Sequence, residues 1–201
     1  MKPFLIAIAG PSGAGKSVFC RTIKDSLKGV TRLKLDDFFK DECDVPKLGD
    51  WTNWDDPSAL KWDQLLQAAR DLSSGRYAIV PNYSRLDNCQ IGEKCVFSSD
   101  IILVDGFMSL HHPELRELID LKLYFDLSED SQITRRKQRQ PWVEDGYLHN
   151  IMLPAARKFI MPTKEFADHI IDAEPSEKDV ANFGIQLISQ TLKNNQLTSL
   201  I

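Results

Sequence analysis

Cysteine and histidine are scarce in the sequence, which has four of each among 201 residues. The cysteines form no Cys-x-x-Cys pair, and the histidines do not cluster at the spacing of metal ligands. This pattern excludes the usual zinc motifs and gives no sign of a disulfide framework. We therefore expect the four cysteines to be reduced thiols.

The sequence also lacks an excess of positive charge and a long apolar run. Its formal net charge is -4 and its pI is near 5.6, whereas surfaces that hold nucleic-acid polymers are usually strongly basic. The apolar stretch before Gly10 is too short for a signal-peptide core or a membrane span. We expect a small-molecule partner, no nucleic-acid polymer, no membrane and a cytoplasmic location; the sequence does not indicate an oligomeric state.

Apolar segments that suit buried strands alternate with amphipathic segments that suit helices. The predicted strands are 4–9, 31–35, 101–104, 121–125 and 169–171, and the predicted helices are 16–27, 57–73, 131–138, 148–160 and 176–192. This alternation predicts an α/β fold, with a mainly parallel central sheet and helices on both faces. No internal repeat or low-complexity linker interrupts residues 1–201, so a single domain is expected. Segments 40–53 and 140–147 are predicted to be mobile loops.

The segment from Gly10 to Ser17 reads Gly-Pro-Ser-Gly-Ala-Gly-Lys-Ser and fits the phosphate-binding pattern Gly-x₄-Gly-Lys-Ser. It lies between a predicted strand and a predicted helix, so its backbone N–H groups and the helix N-terminus can face phosphate oxygens. Lys16 is expected to reach the β- and γ-phosphates of ATP, and Ser17 to bind Mg²⁺. The predicted nucleotide-binding residues are Gly10, Gly13, Ala14, Gly15, Lys16, Ser17 and Val18.

An acidic residue follows a second apolar strand, because Asp105 comes directly after residues 101–104. Ligands of open α/β sheets bind at the carboxyl ends of the strands. We expect Asp105 to hold Mg²⁺ together with Ser17, through a water molecule. The alternative is a simple Asp-Gly turn that ends the strand at Gly106.

A phosphate-binding loop alone does not separate a kinase from a switch GTPase or a motor. A guanine-specific Asn-Lys-x-Asp element is absent, and the chain is short for a motor. Asp36 and Asp37 follow the strand at 31–35, and a carboxylate there can accept a hydrogen bond from an attacking hydroxyl. In an extended segment the two side chains would point to opposite sides, so only one can be the base, and the sequence does not say which. An exposed acidic helix cap is the alternative.

A basic group is expected to balance the charge on the transferred phosphoryl oxygens, and the segment 134–139 supplies several cations. The candidates are Arg135, Arg136 and Arg139. A loop with Pro141 and Gly146 follows, so residues 135–147 are predicted to form a small lid that excludes water. In isolation, such a charge run would more often be a solvated helix face.

Taken together, five segments resemble the uridine kinase and nicotinamide riboside kinase superfamily of P-loop nucleoside kinases. They are GPSGAGKS at 10–17, LDDFFK at 35–40, NWDDPSAL at 53–60, VDGF at 104–107 and the arginine-rich lid. The similarity runs in order from about residue 4 to about residue 172. It implies the three-layer P-loop NTPase fold and ATP-dependent phosphorylation of a nucleoside 5′-hydroxyl with Mg²⁺.

The resemblance also implies roles for individual residues. Asp36 would be the base, and Asp55, or Asp56 beside it, would bind the ribose hydroxyls. In the nicotinamide riboside branch two aromatic rings sandwich the pyridine, and these correspond to Trp54 and Tyr147. Each of these residues has a structural alternative, as a helix cap for Asp55 or as core for the aromatic residues.

Different segments of the sequence resemble different branches of the superfamily. The segments around Asp36 and Asp105 look more like nicotinamide riboside kinases, whereas the segment 161–171 resembles uridine kinases. The pyrimidine-reading set of that second branch is poorly kept around Tyr83. Nicotinamide riboside is therefore the expected acceptor, with uridine or cytidine as the alternative. Kinases for other small alcohols, and a regulatory protein that binds nucleotide without turnover, are the remaining alternatives.

Overall fold

A computed structural model describes residues 2–194, and a five-stranded sheet lies at its centre. The strands are β1 (Phe4–Ala9), β2 (Val30–Lys34), β7 (Ile101–Asp105), β8 (Leu121–Asp126) and β9 (His169–Asp172). They are arranged in the order β2-β7-β1-β8-β9, and every neighbouring pair is parallel. The mainly parallel sheet predicted from the apolar segments is confirmed, and the carboxyl ends of all five strands meet at one edge.

Strand β1 shows how the sheet supports a layer on each face. Leu5, Ala7 and Ala9 belong to the core on one side, while Ile6 and Ile8 belong to the core on the other, and none of the five is exposed to solvent. Side chains alternate between the faces of a strand, so an unbroken apolar run is what a strand buried on both faces requires.

Helices cover both faces of the sheet. On the Ile8 side, α1 (Lys16–Ser26) packs against α7 (Glu177–Asn194), so closely that a Cβ added at Gly184 would lie 2.1 Å from the Phe19 ring. On the Leu5 side, the buried faces of α2 (Trp62–Ser73) and α3 (Pro113–Leu118) supply Leu65 and Leu115. The three-layer α/β fold predicted from the sequence is confirmed.

Two hairpins lie outside the central sheet, and neither was predicted. The segment 40–53 contains a 3₁₀ turn (Glu42–Asp44) and the short antiparallel strands β3 (Lys47–Leu48) and β4 (Trp51–Thr52). The longer hairpin pairs β5 (Ala78–Ser84) with β6 (Cys89–Val96). No residue of its outer strand β6 is buried, and the strand mixes polar with apolar residues, so it lacks the apolar run by which the central strands were found.

The remaining helical segments differ from the prediction mainly at their ends. The predicted helix at 57–73 begins as a 3₁₀ turn (Pro57–Ala59) before α2, and α4 (Glu129–Arg139) extends the predicted 131–138 at both ends. The predicted 148–160 helix begins earlier, with α5 (Asp145–Tyr147), and continues through π-helical turns around α6 (Leu153–Ala155). Within residues 2–194, no helix has both the length and the apolar character needed to cross a membrane. The predicted single domain of residues 1–201 reaches beyond the described residues and stays a prediction.

Candidate active site

The phosphate-binding loop connects β1 to α1 and depends on glycine. Gly10, Gly13 and Gly15 all have positive φ angles, at 131°, 84° and 76°. At Gly10 a Cβ would lie 2.3 Å from the carbonyl oxygen of Phe125, so no side chain fits there. The loop therefore lies against the carboxyl end of β8, and α1 begins directly after it at Lys16. The N-terminus of a helix is a site that favours anions.

Lys16 is the first residue of α1, directly after this loop. Its ammonium donates a hydrogen bond to the carbonyl oxygen of Pro11 at 2.8 Å. Burial lowers the pKa of Lys16 to about 8, while the carboxylates of Asp105 and Asp36 oppose that shift. Both acids that were predicted around the phosphates therefore act electrostatically on the same lysine.

Asp105 ends β7 and is only 5% exposed. Ser17 donates a hydrogen bond to Asp105 Oδ2 at 3.4 Å, so the two predicted magnesium ligands lie side by side. Arg32 of β2 forms an ion pair with the same oxygen, its Nε lying 2.7 Å away. Hydroxyl and carboxylate oxygens are the ligands that Mg²⁺ prefers, and a magnesium ion at a phosphate site takes only one or two of them from the protein. The pair fits a magnesium site, and Arg32 is a neighbour that the sequence did not indicate.

The three predicted arginines lie on α4 and face the phosphate-binding loop. The Ser128 hydroxyl accepts a hydrogen bond from the Ser131 N–H at 3.3 Å and caps the helix, whose last turn is basic, as the helix dipole favours. Arg135 donates to the carbonyl oxygen of Gly13 at 3.2 Å. The Ser12 hydroxyl accepts hydrogen bonds from Arg136 at 3.4 Å and Arg139 at 3.1 Å. The arginines predicted in segment 134–139 therefore lie beside the phosphate-binding loop.

The rest of the predicted lid is anchored by contacts with two other segments. Lys137 forms an ion pair with Asp145 at 2.6 Å, and Trp51 donates a hydrogen bond to Glu144 at 3.1 Å. Gly146 lies so close to Trp51 that an added Cβ would be 2.5 Å from the indole ring. The β3–β4 hairpin thus packs against residues 135–147, and their role as a lid stays a prediction.

Asp36 and Asp37 occupy different environments, because the segment Leu35–Phe38 is a 3₁₀ turn and not the extended strand considered from the sequence. Asp36 lines the main cleft and forms an ion pair with Arg85 at 2.5 Å. Asp37 is paired with Lys94 at 2.7 Å and does not line the cleft. Of the two acids, the geometry brings Asp36 to the same cleft as Lys16 and Ser17.

Asp55 and Asp56 are separated in the same way. Asp55 lines the cleft and accepts a hydrogen bond from the Tyr147 hydroxyl at 2.7 Å. Burial raises the pKa of Asp55, while the Tyr147 hydrogen bond acts in the opposite direction. Asp56 instead caps the Pro57–Ala59 turn, accepting hydrogen bonds from the Ser58 N–H at 2.8 Å and the Ser58 hydroxyl at 2.6 Å.

Aromatic side chains form one wall of the cleft beyond Asp36. Trp54 lies edge-on to Phe39 and Tyr83, with ring centroids 5.4 Å and 6.3 Å away, and Phe39 stacks on Phe107 at 6.2 Å. Tyr147 borders the same cleft, with its hydroxyl directed to Asp55. Phe39 and Phe107 were missed as wall residues, although they belong to the LDDFFK and VDGF segments that marked the phosphate-transfer site.

The cleft has a volume of about 970 Å³, at the upper end of the range for ligand pockets. The predicted site residues that line it are Gly13, Gly15, Lys16, Ser17, Val18, Asp36, Trp54, Asp55, Asp105, Arg135, Arg136, Arg139 and Tyr147. Gly10 and Ala14 are buried in the loop behind it, and Asp56 lies outside. Arg85 and Asn88 also line the cleft and were missed, because they come from the unpredicted β5–β6 hairpin.

Comparison with solved structures supports the fold. A possible uridine kinase from Bacillus stearothermophilus aligns with a TM-score of 0.56 and 20% identity, over 86% of this chain and 90% of the other. Phosphoribulokinase from Rhodobacter spheroides aligns with a TM-score of 0.63 and 12% identity, over 87% and 73%. At such low identity the likeness concerns the fold alone.

Sequence comparison identifies the family. A model described as the phosphoribulokinase / uridine kinase family matches residues 5–181. A uridine kinase of Clostridium novyi is 33% identical over 208 residues, covering 98% of this chain and all of the relative. One from Staphylococcus carnosus is 35% identical over 206 residues, covering 96% and 97%. The predicted superfamily is confirmed, whereas the closer resemblance to nicotinamide riboside kinases is not. The chain belongs to the phosphoribulokinase / uridine kinase family.

Proposed function

We propose that the protein is an ATP-dependent nucleoside kinase, which transfers the γ-phosphate of ATP to the 5′-hydroxyl of a ribonucleoside. The observation that carries the proposal is a single cleft lined by Lys16, Ser17, Asp36 and Asp55. The first two belong to the phosphate-binding motif at 10–17, and the other two are carboxylates that can accept hydrogen bonds from hydroxyl groups. A donor subsite and an acceptor subsite therefore open into one another.

The residues on the two sides of the cleft suit an in-line transfer. Asp36 accepts the proton of the acceptor's 5′-hydroxyl while the 5′-oxygen forms a bond to the γ-phosphorus. The bond between the γ-phosphorus and the β,γ-bridging oxygen breaks at the same step, and ADP leaves. Lys16 and the α4 arginines stabilise the negative charge on the transferred group. Ser17 and Asp105 would hold Mg²⁺, which when bound neutralises charge on the phosphate oxygens.

Asp55 is the proposed ribose-binding residue. A ribose carries two adjacent hydroxyl donors, and one carboxylate can accept a hydrogen bond from both. Tyr147 fixes one oxygen of this carboxylate from the lid side. Asp56 already accepts hydrogen bonds from the N–H and the hydroxyl of Ser58, so we assign the ribose contact to Asp55.

We propose uridine or cytidine as the acceptor, because relatives that align over nearly the whole chain are named uridine kinases. Nicotinamide riboside is the second candidate. It is favoured by Trp54 and Tyr147, which both border the cleft and whose electron-rich faces suit a cationic pyridinium ring.

Initial rates with ATP·Mg²⁺ and a panel of acceptors test the proposal. The panel contains uridine, cytidine, nicotinamide riboside, adenosine, pantothenate and buffer alone, compared by kcat/KM. We expect a pyrimidine nucleoside to give the highest value and the product to be its 5′-monophosphate. A strong preference for nicotinamide riboside would select the second candidate.

Two rivals give different results in the same assay. Phosphorylation of pantothenate, with none of any nucleoside, would indicate a kinase for another small alcohol. ATP binding without transfer to any acceptor would indicate a nucleotide-binding regulatory protein. The cleft residues Lys16, Ser17, Asp36 and Asp105 argue against the second rival, and a cytoplasmic location goes with the proposed function.

A further inference from the structure

Two ion pairs connect the β5–β6 hairpin to the 3₁₀ turn that carries the adjacent aspartates. Arg85, at the turn of the hairpin, pairs with Asp36 at 2.5 Å. Lys94, in β6, pairs with Asp37 at 2.7 Å. Both ion pairs join the same two elements, so either could hold the hairpin in place. They differ in their position relative to the cleft.

Only the Arg85 pair lies in the cleft. Asp36 and Arg85 both line it, whereas Asp37 and Lys94 are absent from its walls. The side chains of Arg85 and Asp36 are 58% and 38% exposed. Ion pairs this exposed contribute little to folding stability, because water screens them and both side chains lose conformational freedom. Stability is therefore a weak reason for placing an arginine beside Asp36.

The geometry of the contact suits a different role. The guanidinium of Arg85 holds Oδ2 of Asp36, and a carboxylate has a second oxygen that can accept a hydroxyl proton. The last torsion of an aspartate side chain is broad, so a carboxylate without an anchor samples many orientations. An arginine that fixes one oxygen therefore limits the directions in which the other can point.

We propose that Arg85 is the positioning residue of the base: it orients the Asp36 carboxylate so that its second oxygen faces the acceptor hydroxyl. The inference rests on the proposed function. Through Arg85, the β5–β6 hairpin would then contribute to phosphoryl transfer, although it lies outside the central sheet. The planar guanidinium of an arginine holds its N–H groups in fixed directions, whereas the ammonium of a lysine rotates freely.

The chain offers a matched pair of variants. Arg85→Ala removes the contact with Asp36, and Lys94→Ala removes the equivalent contact with Asp37, so each deletes one ion pair between the same two elements. We expect Arg85→Ala to lower kcat by roughly tenfold to a hundredfold, since a small misplacement of a reacting group has effects of that order. Its KM for ATP should stay near the wild-type value, and Lys94→Ala should resemble wild type in kcat and in both KM values.

A conservative variant separates positioning from packing. Arg85→Lys keeps the positive charge without the planar guanidinium and should recover part of the lost kcat. Thermal unfolding of Arg85→Ala and Arg85→Lys should give melting temperatures close to wild type, because the Arg85–Asp36 pair is exposed. The Asp37 side chain is only 14% exposed, so Lys94→Ala should lower the melting temperature while its kcat stays near the wild-type value. The rates are measured with the acceptor that gives the highest wild-type kcat/KM.

Each other outcome overturns the assignment. Equal losses in Arg85→Ala and Lys94→Ala would mean that both pairs merely hold the hairpin. A rise in acceptor KM with unchanged kcat would make Arg85 a substrate-binding residue, and a rise in kcat would make the ion pair inhibitory. If wild type phosphorylates no nucleoside, the proposed function fails and this role fails with it; if wild type is active but Arg85→Ala is unimpaired, only this role fails.

Discussion

The proposed donor side and the proposed acceptor side of the cleft are built in different ways. The donor side is largely one loop of consecutive residues between β1 and α1, whose glycines have positive φ angles. The acceptor side brings together a 3₁₀ turn, the segment before α2, the β5–β6 hairpin and α5, which are far apart in the sequence. Phosphate groups are the same in every ATP, and a local backbone motif suffices to bind them. An acceptor is recognised by shape and by individual side chains, so its subsite depends on tertiary packing.

The largest expected effect is a loss of kcat that distinguishes Asp36 from Asp37, the two adjacent aspartates between these sides. Asp36→Ala should lower kcat by about 10²- to 10⁴-fold, because it removes the proposed base. The KM for ATP should change little, since the phosphate-binding loop is intact. Asp37→Ala serves as the control and should stay close to wild type, because Asp37 pairs with Lys94 outside the cleft. Unchanged turnover in Asp36→Ala would remove this residue from the mechanism.

A second variant tests how strictly the donor side depends on its backbone. Gly10→Ala places a Cβ 2.3 Å from the carbonyl oxygen of Phe125 at a φ of 131°. The free energy of unfolding should fall by about 3 kcal/mol or more, because backbone strain of about 1–3 kcal/mol is added to a clash with main-chain atoms. Chemical denaturation measures the change, and ATP affinity should fall as well.

Gly75→Ala is the matched control for that variant. Gly75 also has a positive φ, of 80°, but an added Cβ would meet nothing within 4 Å. It should therefore show only the cost of the left-handed backbone conformation, about 1–2 kcal/mol. Equal losses in the two variants would mean that the loop tolerates a side chain at Gly10 and that its contact with β8 is unimportant.

The same contrast explains what could be predicted from the sequence. Apolar runs located the strands of the central sheet, and the glycine pattern located the nucleotide loop, because both signals are local. The partnership of Arg32 with Asp105 could not be predicted, since it depends on β2 lying beside β7. The β5–β6 hairpin was missed because no residue of β6 is buried and the strand lacks a clear alternation of polar and apolar residues. Arg85 was missed with it.

Neighbouring acids were also indistinguishable in the sequence. Asp36 can be distinguished from Asp37 as the candidate base only in the structure, where the 3₁₀ turn directs the two side chains to different partners. Choosing Asp55 over Asp56 requires the cap at Ser58. In both cases a rotation of the backbone between adjacent residues decides the environment, and composition gives no information about it. Their catalytic and ribose-binding roles remain predictions to be measured.

On the acceptor side, Trp54→Ala tests whether the aromatic wall holds the base. Stacking of a base on an aromatic ring is worth about 1–3 kcal/mol, so the acceptor KM should rise roughly tenfold or more, with the KM for ATP nearly unchanged. Phe97→Ala is the control, since Phe97 is 70% exposed and lies outside both the cleft walls and the predicted lid. Equal increases in both KM values of Trp54→Ala would indicate that Trp54 only supports Phe39 and Tyr83.

The smallest expected effect is on the acceptor KM, and it tests the role of the Tyr147 hydroxyl. Tyr147→Phe keeps the ring but removes the hydroxyl that donates to Asp55 at 2.7 Å. A typical hydrogen bond contributes about 0.5–1.5 kcal/mol, so the acceptor KM should rise between about twofold and tenfold at neutral pH. The lost hydrogen bond had lowered the pKa of Asp55 against the effect of burial, so that pKa should rise further in the variant. As the pH falls, Asp55 should therefore protonate earlier, and acceptor binding should weaken at a higher pH than in wild type.

Measurement of the acceptor KM from pH 8 down to pH 5 checks this expectation for wild type and Tyr147→Phe. A ring that merely stacks on the base predicts identical KM values and identical pH profiles, because phenylalanine stacks as well as tyrosine does. A shifted profile with an unchanged KM for ATP would show that Tyr147 acts through Asp55. The lid and the ribose subsite would then be coupled by one hydrogen bond, whereas the donor side would be untouched by the change.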